Sequence, residues 1–454
     1  MPYIPCTDAD RAAMLERIGA KSIEELFDAI PKKLRMDKEL DIAPGLSESA
    51  VMTYMSELGE KNHVFPAHRI LAGGGVYCHF IPPVVKELVH RGEFYTAYTP
   101  YQPEISQGML QAIFEYQSYI CLLTGMEVSN ASSYDGGTAL MDAVLMARNA
   151  TKRSRILLPP YLNPQYREVV ETYNLGMAVE LVTLPADADG AIDRKALDKE
   201  LAAGNVAALV IQFPNYMGFY EEDIPGMVKA AHDAGALAVF SAYPFTMGVT
   251  CTPGEMGADI VTGEGQPLGI APSFGGPYLG YCATTMKLVR QLPGRIVGKT
   301  SAAFGREGYV MTLQAREQHI RRDKAASNIC SNEALCALQA TIYMSVVGKH
   351  GFHHIARKCE ENAHYAAKKL GAMKGLRIAF PKRAFFNEFA VQLEKPENLC
   401  TVRDALMKKG WLPGIIIEDK FPSVKGGLLL AFTELQDTAA IDEFAKDMQE
   451  ALNV

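Results

Sequence analysis

The sequence is poor in positive charge, in patterned cysteine and in long apolar runs. Lysine and arginine number 45 against 52 aspartates and glutamates, a net charge of −7, so no broad nucleic-acid surface is expected. The nine cysteines are scattered and never form Cys-x-x-Cys, which is typical of reduced thiols and argues against a disulfide framework or a zinc site. No apolar run approaches the roughly 20 residues that cross a bilayer, and no apolar signal core follows Met1. These absences predict a cytoplasmic protein with no membrane partner.

Lysine is also missing from one long stretch, between Lys229 and Lys287. The stretch contains residues 263–268, reading GEGQPL, and then a glycine-rich run at 274–280. Only an amine can form a Schiff base with an aldehyde. No side chain in this stretch can therefore hold an aldehyde group in that way.

Composition and periodicity predict an α/β protein. A length of 454 residues exceeds what a single core usually supports. Apolar runs alternate with helical segments, as parallel strands buried on both faces do, and such strands imply right-handed crossovers. Strands are predicted at 155–158, 178–184, 206–212, 237–240 and 259–261, and helices at 110–123, 140–148 and 313–324.

The chain is predicted to have three parts. Residues 1–60 read as a helical arm of short helices that bury too little to stand alone. Residues 61–330 form the large α/β domain. From 331 to 454 a long helix, 332–371, precedes three strands and a final helix, which predicts a smaller α+β domain. These strands are placed at 389–393, 414–417 and 427–432, and the helix at 438–452.

An aperiodic segment, residues 94–108, is the first candidate for binding. It reads FYTAYTPYQPEISQG and carries neither helical nor strand periodicity. Such a density of hydrogen-bonding groups on an irregular segment is typical of a binding loop on a rigid scaffold. The alternative is that its tyrosines pack under a subunit interface, and both interpretations are compatible.

A glycine pair before a helix is the second candidate. Glycines beside a helix start expose backbone amides at the positive end of the helix dipole, where many proteins hold phosphate. A plain turn capped by Asp135 or Thr138 explains the pattern equally simply, and Asp135 would repel a phosphate. For the chain by itself this plain turn is the favoured interpretation. The residues concerned are Asp135, Gly136, Gly137 and Thr138.

Several long strings together resemble the glycine cleavage system P-protein family. They read FYTAYTPYQPEISQ at 94–107, NASSYDGGT at 130–138, GEGQPL at 263–268, FGGPYLG at 274–280 and LQAREQHIRR at 313–322. The chain is most similar to the N-terminal half of this protein, in organisms that split it into two polypeptides. Strings of this length are far more specific than a short motif.

The resemblance implies an architecture, a partner and a reaction. The architecture is the aminotransferase-like fold type I of pyridoxal-phosphate transferases, with a mainly parallel sheet in the large domain. The cofactor is expected in a partner, subunit 2, with two copies of each chain in a heterotetramer. The complex is expected to act as glycine dehydrogenase (aminomethyl-transferring): glycine loses carbon dioxide, and the aminomethyl group passes to the lipoamide of the H-protein. This chain alone is predicted to be inactive.

Two cofactor-binding positions of that fold are missing from the sequence. Gln266 and Pro267 stand where the resemblance leads one to expect a His-Lys pair. The fold also needs an acid at a strand end to keep the pyridine nitrogen protonated, and the strand at 237–240 instead runs into Ser241-Ala242-Tyr243-Pro244. The glycine-pair loop is then a vestigial phosphate site. The chain is predicted to bind no cofactor covalently.

The resemblance leaves the aperiodic segment and three arginines as candidates for contributing to the complex. Arginine pairs well with carboxylates through parallel donors, although most helix arginines form only exposed ion pairs. His68, His79 and His319 lack a carboxylate or cysteine spacing that suggests a metal, so none is predicted. The active-site candidates are Tyr98, Tyr101, Gln102, Glu104, Ser106 and Gln107, and the substrate or partner candidates are Arg316, Arg321 and Arg322.

Two alternatives stay open at the level of sequence. One is a stand-alone pyridoxal-phosphate enzyme that uses an unexpected lysine, such as Lys287 or Lys299. The other is a scaffold that only stabilises its partner. The first would show an absorbing internal cofactor complex in the purified chain, and the second would leave partner activity intact when residues 98–107 are altered.

Overall fold

A computed structural model of the chain describes residues 6–36, 38, 40–301, 305–325, 327–329 and 331–453. The chain divides into two units, residues 1–64 and 65–454. No helix among the described residues is long and apolar enough to cross a bilayer.

The first unit contains α1 (Asp8–Ile18) and α2 (Glu48–Glu60), with short 3-10 turns between them. Helix α1 begins at a capping box, in which the Thr7 hydroxyl accepts from the Asp10 amide at 3.2 Å and the Asp10 carboxylate accepts from the Thr7 amide at 2.8 Å. None of the described residues from 6 to 64 is buried. Local caps, rather than a core, therefore hold these helices within the unit.

The second unit begins with helices and is built around a seven-stranded sheet. Its strand order is β1-β7-β6-β5-β4-β2-β3. Strands β6, β5, β4, β2 and β3 run parallel to one another. Strand β7 runs antiparallel to its two neighbours, β6 and β1. The elements are α3 (Pro83–Val89), α4 (Gly92–Tyr95), α5 (Gln107–Thr124), β1 (Val128–Ser129), α6 (Gly136–Thr151), β2 (Arg155–Leu158), α7 (Pro164–Asn174), β3 (Glu180–Thr183), α8 (Arg194–Ala202), β4 (Val206–Phe213), α9 (Ile224–Asp233), β5 (Leu237–Ala242), β6 (Ile260–Glu264) and β7 (Gly280–Thr284).

Strand β4 shows why the sequence forms this sheet. All of its residues are buried except Gln212, which is half-buried. An apolar run of this kind fits the centre of a sheet that helices cover on both faces. The predicted mainly parallel α/β fold is confirmed.

The chain then forms a hairpin and a smaller antiparallel sheet. The hairpin pairs β8 (Ile296–Ser301) with β9 (Glu307–Thr312). After α10 (Gln318–Arg321) and α11 (Ala334–Leu370), the small sheet has the order β10-β11-β13-β12. It consists of β10 (Leu376–Ile378), β11 (Glu388–Leu393), β12 (Ile415–Ile416) and β13 (Gly427–Ala431), packed with α12 (Leu399–Lys408) and α13 (Thr438–Leu452).

Helix α11 packs against elements beside both sheets. It contacts α3 and α5 beside the large sheet and α13 and β10 beside the small one. At Gly348 its backbone leaves helical geometry, with φ 61° and ψ 175°, so two helical segments meet there. The predicted domain boundary at 330 falls just before this helix and stays a prediction.

The prediction of a helix at 313–324 is wrong. The segment forms a 3-10 turn, the four-residue α10 and a second 3-10 turn. Leu313 and Arg322 have φ values of 52° and 56°, which a right-handed helix does not accommodate. The basic residues of this segment therefore do not share one helical face.

Candidate functional site

Residues 71–80, reading LAGGGVYCHF, connect the small sheet to the loop after β6, and we call them the strap. The Leu71 amide donates to Leu412 at 2.8 Å, and Leu71 accepts from the Ala431 amide of β13 at 2.9 Å. The strap needs glycine at Gly73 because it passes close to Glu388. A Cβ atom on Gly73 would lie 2.3 Å from the Glu388 side chain. The sequence analysis missed the strap, although its three consecutive glycines were a visible signal.

Gln266 binds the strap directly before Pro267, which stands where the resemblance suggests the Schiff-base lysine. Its side-chain oxygen accepts from the Tyr77 amide at 3.0 Å, and its side-chain nitrogen donates to the Tyr77 carbonyl at 3.1 Å. The side chain is 1% exposed. The amide group therefore serves as a backbone partner, which a lysine cannot do because it has no acceptor.

The end of β5 carries hydroxyl groups and no acid. Tyr281 donates its hydroxyl to the Ala242 carbonyl at 2.6 Å, and the Tyr243 hydroxyl lies 2.7 Å from His79 Nε2. Ser241 is buried at the same strand end. The end of β5 is therefore polar, but residues 237–244, all of them described, include no carboxylate.

A small cavity lies between the strap and the ends of β4, β5 and β11. Its volume is about 40 Å³, which is room for little more than a water molecule. No lysine is found among the described residues that line it. Its side chains include Tyr77, Asn163, Tyr166, Gln212, Ser241, Tyr243, Glu264, Asn387 and Glu388.

Glu264, at the end of β6, inserts its carboxyl group beside the start of α6. One oxygen accepts from the amides of Gln266 and Leu279 at 2.9 and 3.0 Å, and the other accepts from the Gly136 amide at 3.0 Å. Burial raises the pKa of Glu264 to about 8, against the three amide donors, which lower it. The carboxyl group thus satisfies backbone donors from three separate segments.

The start of α6 is capped by its own side chains. The Asp135 carboxylate accepts from the Thr138 amide at 2.8 Å, and the Thr138 hydroxyl accepts from the Asp135 amide at 3.1 Å. Gly136 and Gly137 are both buried. Of the four residues predicted as a vestigial phosphate site, two therefore form a reciprocal cap, and Gly136 donates to Glu264.

Glu388 links the small sheet to the strap. Its carboxyl oxygens accept from the Gly74 amide at 2.7 Å and from the Tyr77 hydroxyl at 2.9 Å. Burial raises the pKa of Glu388 to about 7, although both donors lower it. Because Gln266 holds the backbone of Tyr77 from the other side, the strap is fixed between the two sheets.

His79, Cys359 and Glu434 meet at the far end of the strap. His79 Nδ1 lies 2.7 Å from one Glu434 oxygen, and the other oxygen accepts from the Phe80 amide at 2.7 Å. Cys359 Sγ lies 3.5 Å from the first oxygen. Burial acts to raise the pKa of Glu434, but His79 and the amide donor outweigh it and the pKa is lowered. Sequence spacing gave no hint of this cluster, because His79 and Glu434 are 355 residues apart; these hydrogen bonds account for it, and the absence of a metal stays a prediction.

The predicted binding segment forms an open groove. Tyr98 is 88% exposed and Ile105 is 81% exposed, and the groove has a volume of about 720 Å³. Glu104 and Gln102 are exposed, and Ser106 is half-buried just before α5. The segment thus presents both polar and apolar groups on one surface.

Two of the predicted residues in this groove are fixed by other parts of the chain. The Arg295 guanidinium donates to the Tyr101 hydroxyl at 3.1 Å and lies 5.5 Å from the centre of its ring. The side chain of Gln107 bonds both the amide and the carbonyl of Tyr309, at 2.8 and 2.9 Å. Arg295 was missed by the sequence analysis and had no distinguishing spacing.

The three predicted arginines occupy different environments. Arg316 is half-buried and donates to the Leu292 carbonyl; burial lowers its pKa, with Glu317 acting against the shift. Its Nε and Nη2 atoms have no hydrogen-bond partner within the described ranges. Arg321 and Arg322 are exposed. None of the three arginines is among the described residues that line the groove, although the ring of His319, in the same segment, lies 6.2 Å from the Tyr101 ring.

Solved structures with little sequence identity share this fold. A sphingosine-1-phosphate lyase from Burkholderia pseudomallei is 14% identical, with a TM-score of 0.66 over 92% of this chain and 93% of that chain. A NifS-like protein from Rickettsia africae is 13% identical, with a TM-score of 0.62 over 85% of this chain and 99% of that chain. The fold is that of fold type I pyridoxal-phosphate-dependent enzymes.

Closer relatives define the family. A family model described as "Glycine cleavage system P-protein" matches residues 1–446. A crystal structure of glycine decarboxylase (P-protein) of the glycine cleavage system is 42% identical, with a TM-score of 0.89 over 99% of this chain and 100% of that chain. The chain belongs to the glycine cleavage system P-protein family.

Two curated relatives match along nearly their whole length. Both are named probable glycine dehydrogenase (decarboxylating) subunit 1. The protein from Brevibacillus brevis is 47% identical over 98% of both chains, and that from Moorella thermoacetica is 47% identical over 99% of both chains. The resemblance drawn from the sequence strings is confirmed.

Proposed function

We propose that this chain is subunit 1 of a two-subunit glycine decarboxylase, and that subunit 2 carries the pyridoxal phosphate and its lysine. Together they remove carbon dioxide from glycine and pass the aminomethyl group to the lipoyl arm of the H-protein, in a complex with two copies of each chain. The full-length similarity to proteins named as subunit 1 supports this assignment.

The small volume and the lining of the cavity beside Glu264 are the observations that carry the placement of the cofactor. The space of about 40 Å³ is far below the roughly 300–1,000 Å³ of ordinary ligand pockets. Its described lining contains no lysine, and the buried Glu264 carboxyl group already accepts from the Gly136 amide at the start of α6. These residues do not fit the cofactor, so this chain's contribution lies elsewhere.

The groove at 94–108 is the surface we assign to the partner's active site. Tyr98, Tyr101, Gln102 and Ser106 line the groove. Glu104 and Gln107 belong to the same segment and are exposed, and we assign them to the same surface. Arg295 holds Tyr101 in place by donating a hydrogen bond to its hydroxyl group. Arg316, Arg321 and Arg322 are assigned to a carboxylate of the substrate or to an acidic surface of the H-protein, because a guanidinium pairs well with carboxylates.

The stand-alone alternative is not favoured by the positions of its lysines. Lys287 is exposed in a 3-10 turn. Lys299 lies on β8 and forms an ion pair with Glu307 on the neighbouring strand. Neither lines the cavity among the described residues.

The test is assembly followed by assay. The chain is purified alone and with subunit 2, and complex mass, cofactor absorption and exchange of carbon dioxide into glycine with H-protein are measured. The chain alone should be colourless and inactive. The complex should show the absorption of the cofactor and should exchange carbon dioxide into glycine. Stoichiometric labelling of one lysine of this chain by borohydride in the presence of pyridoxal phosphate would refute the placement. Full activity of complexes with an altered groove would favour the scaffold alternative.

A further inference from the structure

The oxygen atoms of the Glu264 carboxyl group accept hydrogen bonds from backbone amides, as the oxygen atoms of a bound oxyanion do in many proteins. Its donors are backbone amides from the start of α6, from the loop after β6 and from the residue before β7. Backbone amides at a helix start favour negative oxygen atoms because the helix dipole points its positive end at them. Here the oxygen atoms come from the chain itself, and Glu264 is 6% exposed.

A second opening reaches the same carboxyl group from outside. A cleft of about 190 Å³ is lined by Glu264 together with Gly74, Asp135, Gln165, Tyr166 and Tyr278. The surroundings of the carboxyl group are tight: a Cβ atom on Gly136 would lie 2.5 Å from the Tyr166 hydroxyl. The position is therefore accessible from the cleft but already filled.

We propose that the Glu264 carboxyl group is an internal ligand that occupies a phosphate-binding position and closes it to phosphate. A phosphate that bound the amides of Gly136, Gln266 and Leu279 would have to displace this carboxyl group, because both would use the same donors. The inference rests on the proposed placement of the cofactor in subunit 2 and names the group that excludes it here. Removing the carboxyl group leaves three buried donors unsatisfied, which an external oxyanion can then bind.

The test compares the full-length Glu264→Ala chain with the unmodified chain in inorganic phosphate. At about 50 mM phosphate we expect the thermal midpoint of Glu264→Ala to rise by roughly 2–4 °C relative to chloride of equal ionic strength. The thermal midpoint of the unmodified chain should be the same in phosphate and in chloride. Equilibrium dialysis with radiolabelled phosphate should show stoichiometric binding to the variant only.

Two further variants separate anion binding from general destabilisation. Glu221→Ala removes another buried carboxyl group, which accepts from the Ile192 amide at 2.8 Å and from Asn215 at 3.2 Å. It should lose stability and gain nothing from phosphate. Glu264→Gln keeps the position filled and should also show no response.

The proposal fails if phosphate neither binds nor stabilises Glu264→Ala, or if Glu221→Ala responds equally. If Glu264→Ala does not fold in chloride, refolding in phosphate should restore soluble chain, and failure in both buffers also overturns the proposal. The experiment uses this chain alone, so its failure leaves the assembly with subunit 2 untouched. Loss of that assembly in turn leaves the phosphate result unaffected.

Discussion

Gln266, directly before Pro267, bonds the backbone of Tyr77 through both ends of its amide and so fixes the strap by hydrogen bonds. A lysine at this position would satisfy the Tyr77 carbonyl but leave the Tyr77 amide without an acceptor. The chemistry of the position has therefore changed along with its residue type. Restoring an amine alone does not restore a site.

Gln266→Lys and Pro267→Lys are each expected to remain unlabelled by borohydride in the presence of pyridoxal phosphate. Gln266→Lys should also lose about 1–3 kcal/mol of unfolding free energy, because a buried amide loses its acceptor. Peptide mapping after reduction and urea unfolding are the measurements. Stoichiometric labelling at either new lysine, or glycine decarboxylation without subunit 2, would contradict this expectation.

The hydroxyl and carboxylate groups of the groove are expected to act on turnover. Tyr98→Phe, Tyr101→Phe and Glu104→Gln should each lower exchange of carbon dioxide into glycine by about 10–100-fold, if each removes one hydrogen bond made only near the transition state. Complex mass and cofactor content should stay unchanged. Tyr365→Phe, whose hydroxyl bonds Asp442 on the surface, is the matched control and should assemble and turn over normally. Normal rates in all three groove variants would make the segment structural.

Glu388 gives the fold a pH dependence with a definite sign. Its pKa rises from the ordinary value of 4.5 to about 7 in the folded chain, so the folded state binds this proton more tightly than the unfolded state does. Its contribution to the unfolding free energy is complete below pH 4.5 and is lost as pH rises through 7, by about 1.4 kcal/mol for each unit of pKa shift.

Glu388→Gln should flatten that part of the pH profile. The glutamine oxygen can still accept from the Gly74 amide, and its nitrogen can donate to the Tyr77 hydroxyl. Urea unfolding between about pH 5 and pH 8 should show a smaller loss of stability in the variant than in the unmodified chain. Glu443→Gln, at a half-exposed ion pair with Arg69, should leave the profile unchanged. A parallel profile for Glu388→Gln would show that this carboxyl group is not the source.

At the scale of elements, the loop after β4 approaches β11 so closely that Gly218 is required where the two backbones meet. Gly218 has φ +89°, and a Cβ atom there would lie 1.8 Å from the Glu388 carbonyl oxygen. Gly204 has a similar φ of +77°, but a Cβ atom built there would have no other atom within 4 Å. The two positions share a left-handed backbone, which glycine adopts without strain, and they differ in the space around an added Cβ atom.

Gly218→Ala is therefore expected to cost much more stability than Gly204→Ala. The Gly204 variant should lose about 1–2 kcal/mol from left-handed backbone strain. The Gly218 variant should lose a further roughly 1–3 kcal/mol from overpacking. Denaturant unfolding of both chains measures the difference, and equal losses would mean that the contact with β11 relaxes freely.

At the scale of the whole molecule, exposed apolar side chains indicate surfaces that a partner covers. Tyr98, Ile105 and Phe274 are 88%, 81% and 96% exposed, and single exposed apolar residues are ordinary, but the first two share one groove. The described part of the first unit likewise has no buried residue. Subunit 2 is the occupant that the proposed function supplies.

Hydrogen–deuterium exchange with and without subunit 2 tests this assignment. Amides at 96–106 should exchange at least about tenfold more slowly in the complex, because docking removes them from water. Peptides from α8 serve as the internal control and should not change. Unaltered exchange at 96–106 in a complex of confirmed mass would place the partner on another surface.

The sequence by itself determined the class of fold, the family and the loss of the lysine. The apolar run at 206–212 was predicted to be a buried strand, and the structure confirms it as β4. The same local patterns misplaced the helix at 313–324, since they do not report the left-handed backbone at Leu313 and Arg322. They also omitted the β8–β9 hairpin.

Only the tertiary structure decided which groups surround Gly136 and Tyr77. Glu264 meets the Gly136 amide across 128 residues, and Glu388 meets the Tyr77 hydroxyl across 311 residues. Such contacts depend on how the sheets and the strap come together, and no local spacing encodes them. A missing lysine is visible in one residue, whereas a closed pocket is a property of several segments that converge in space.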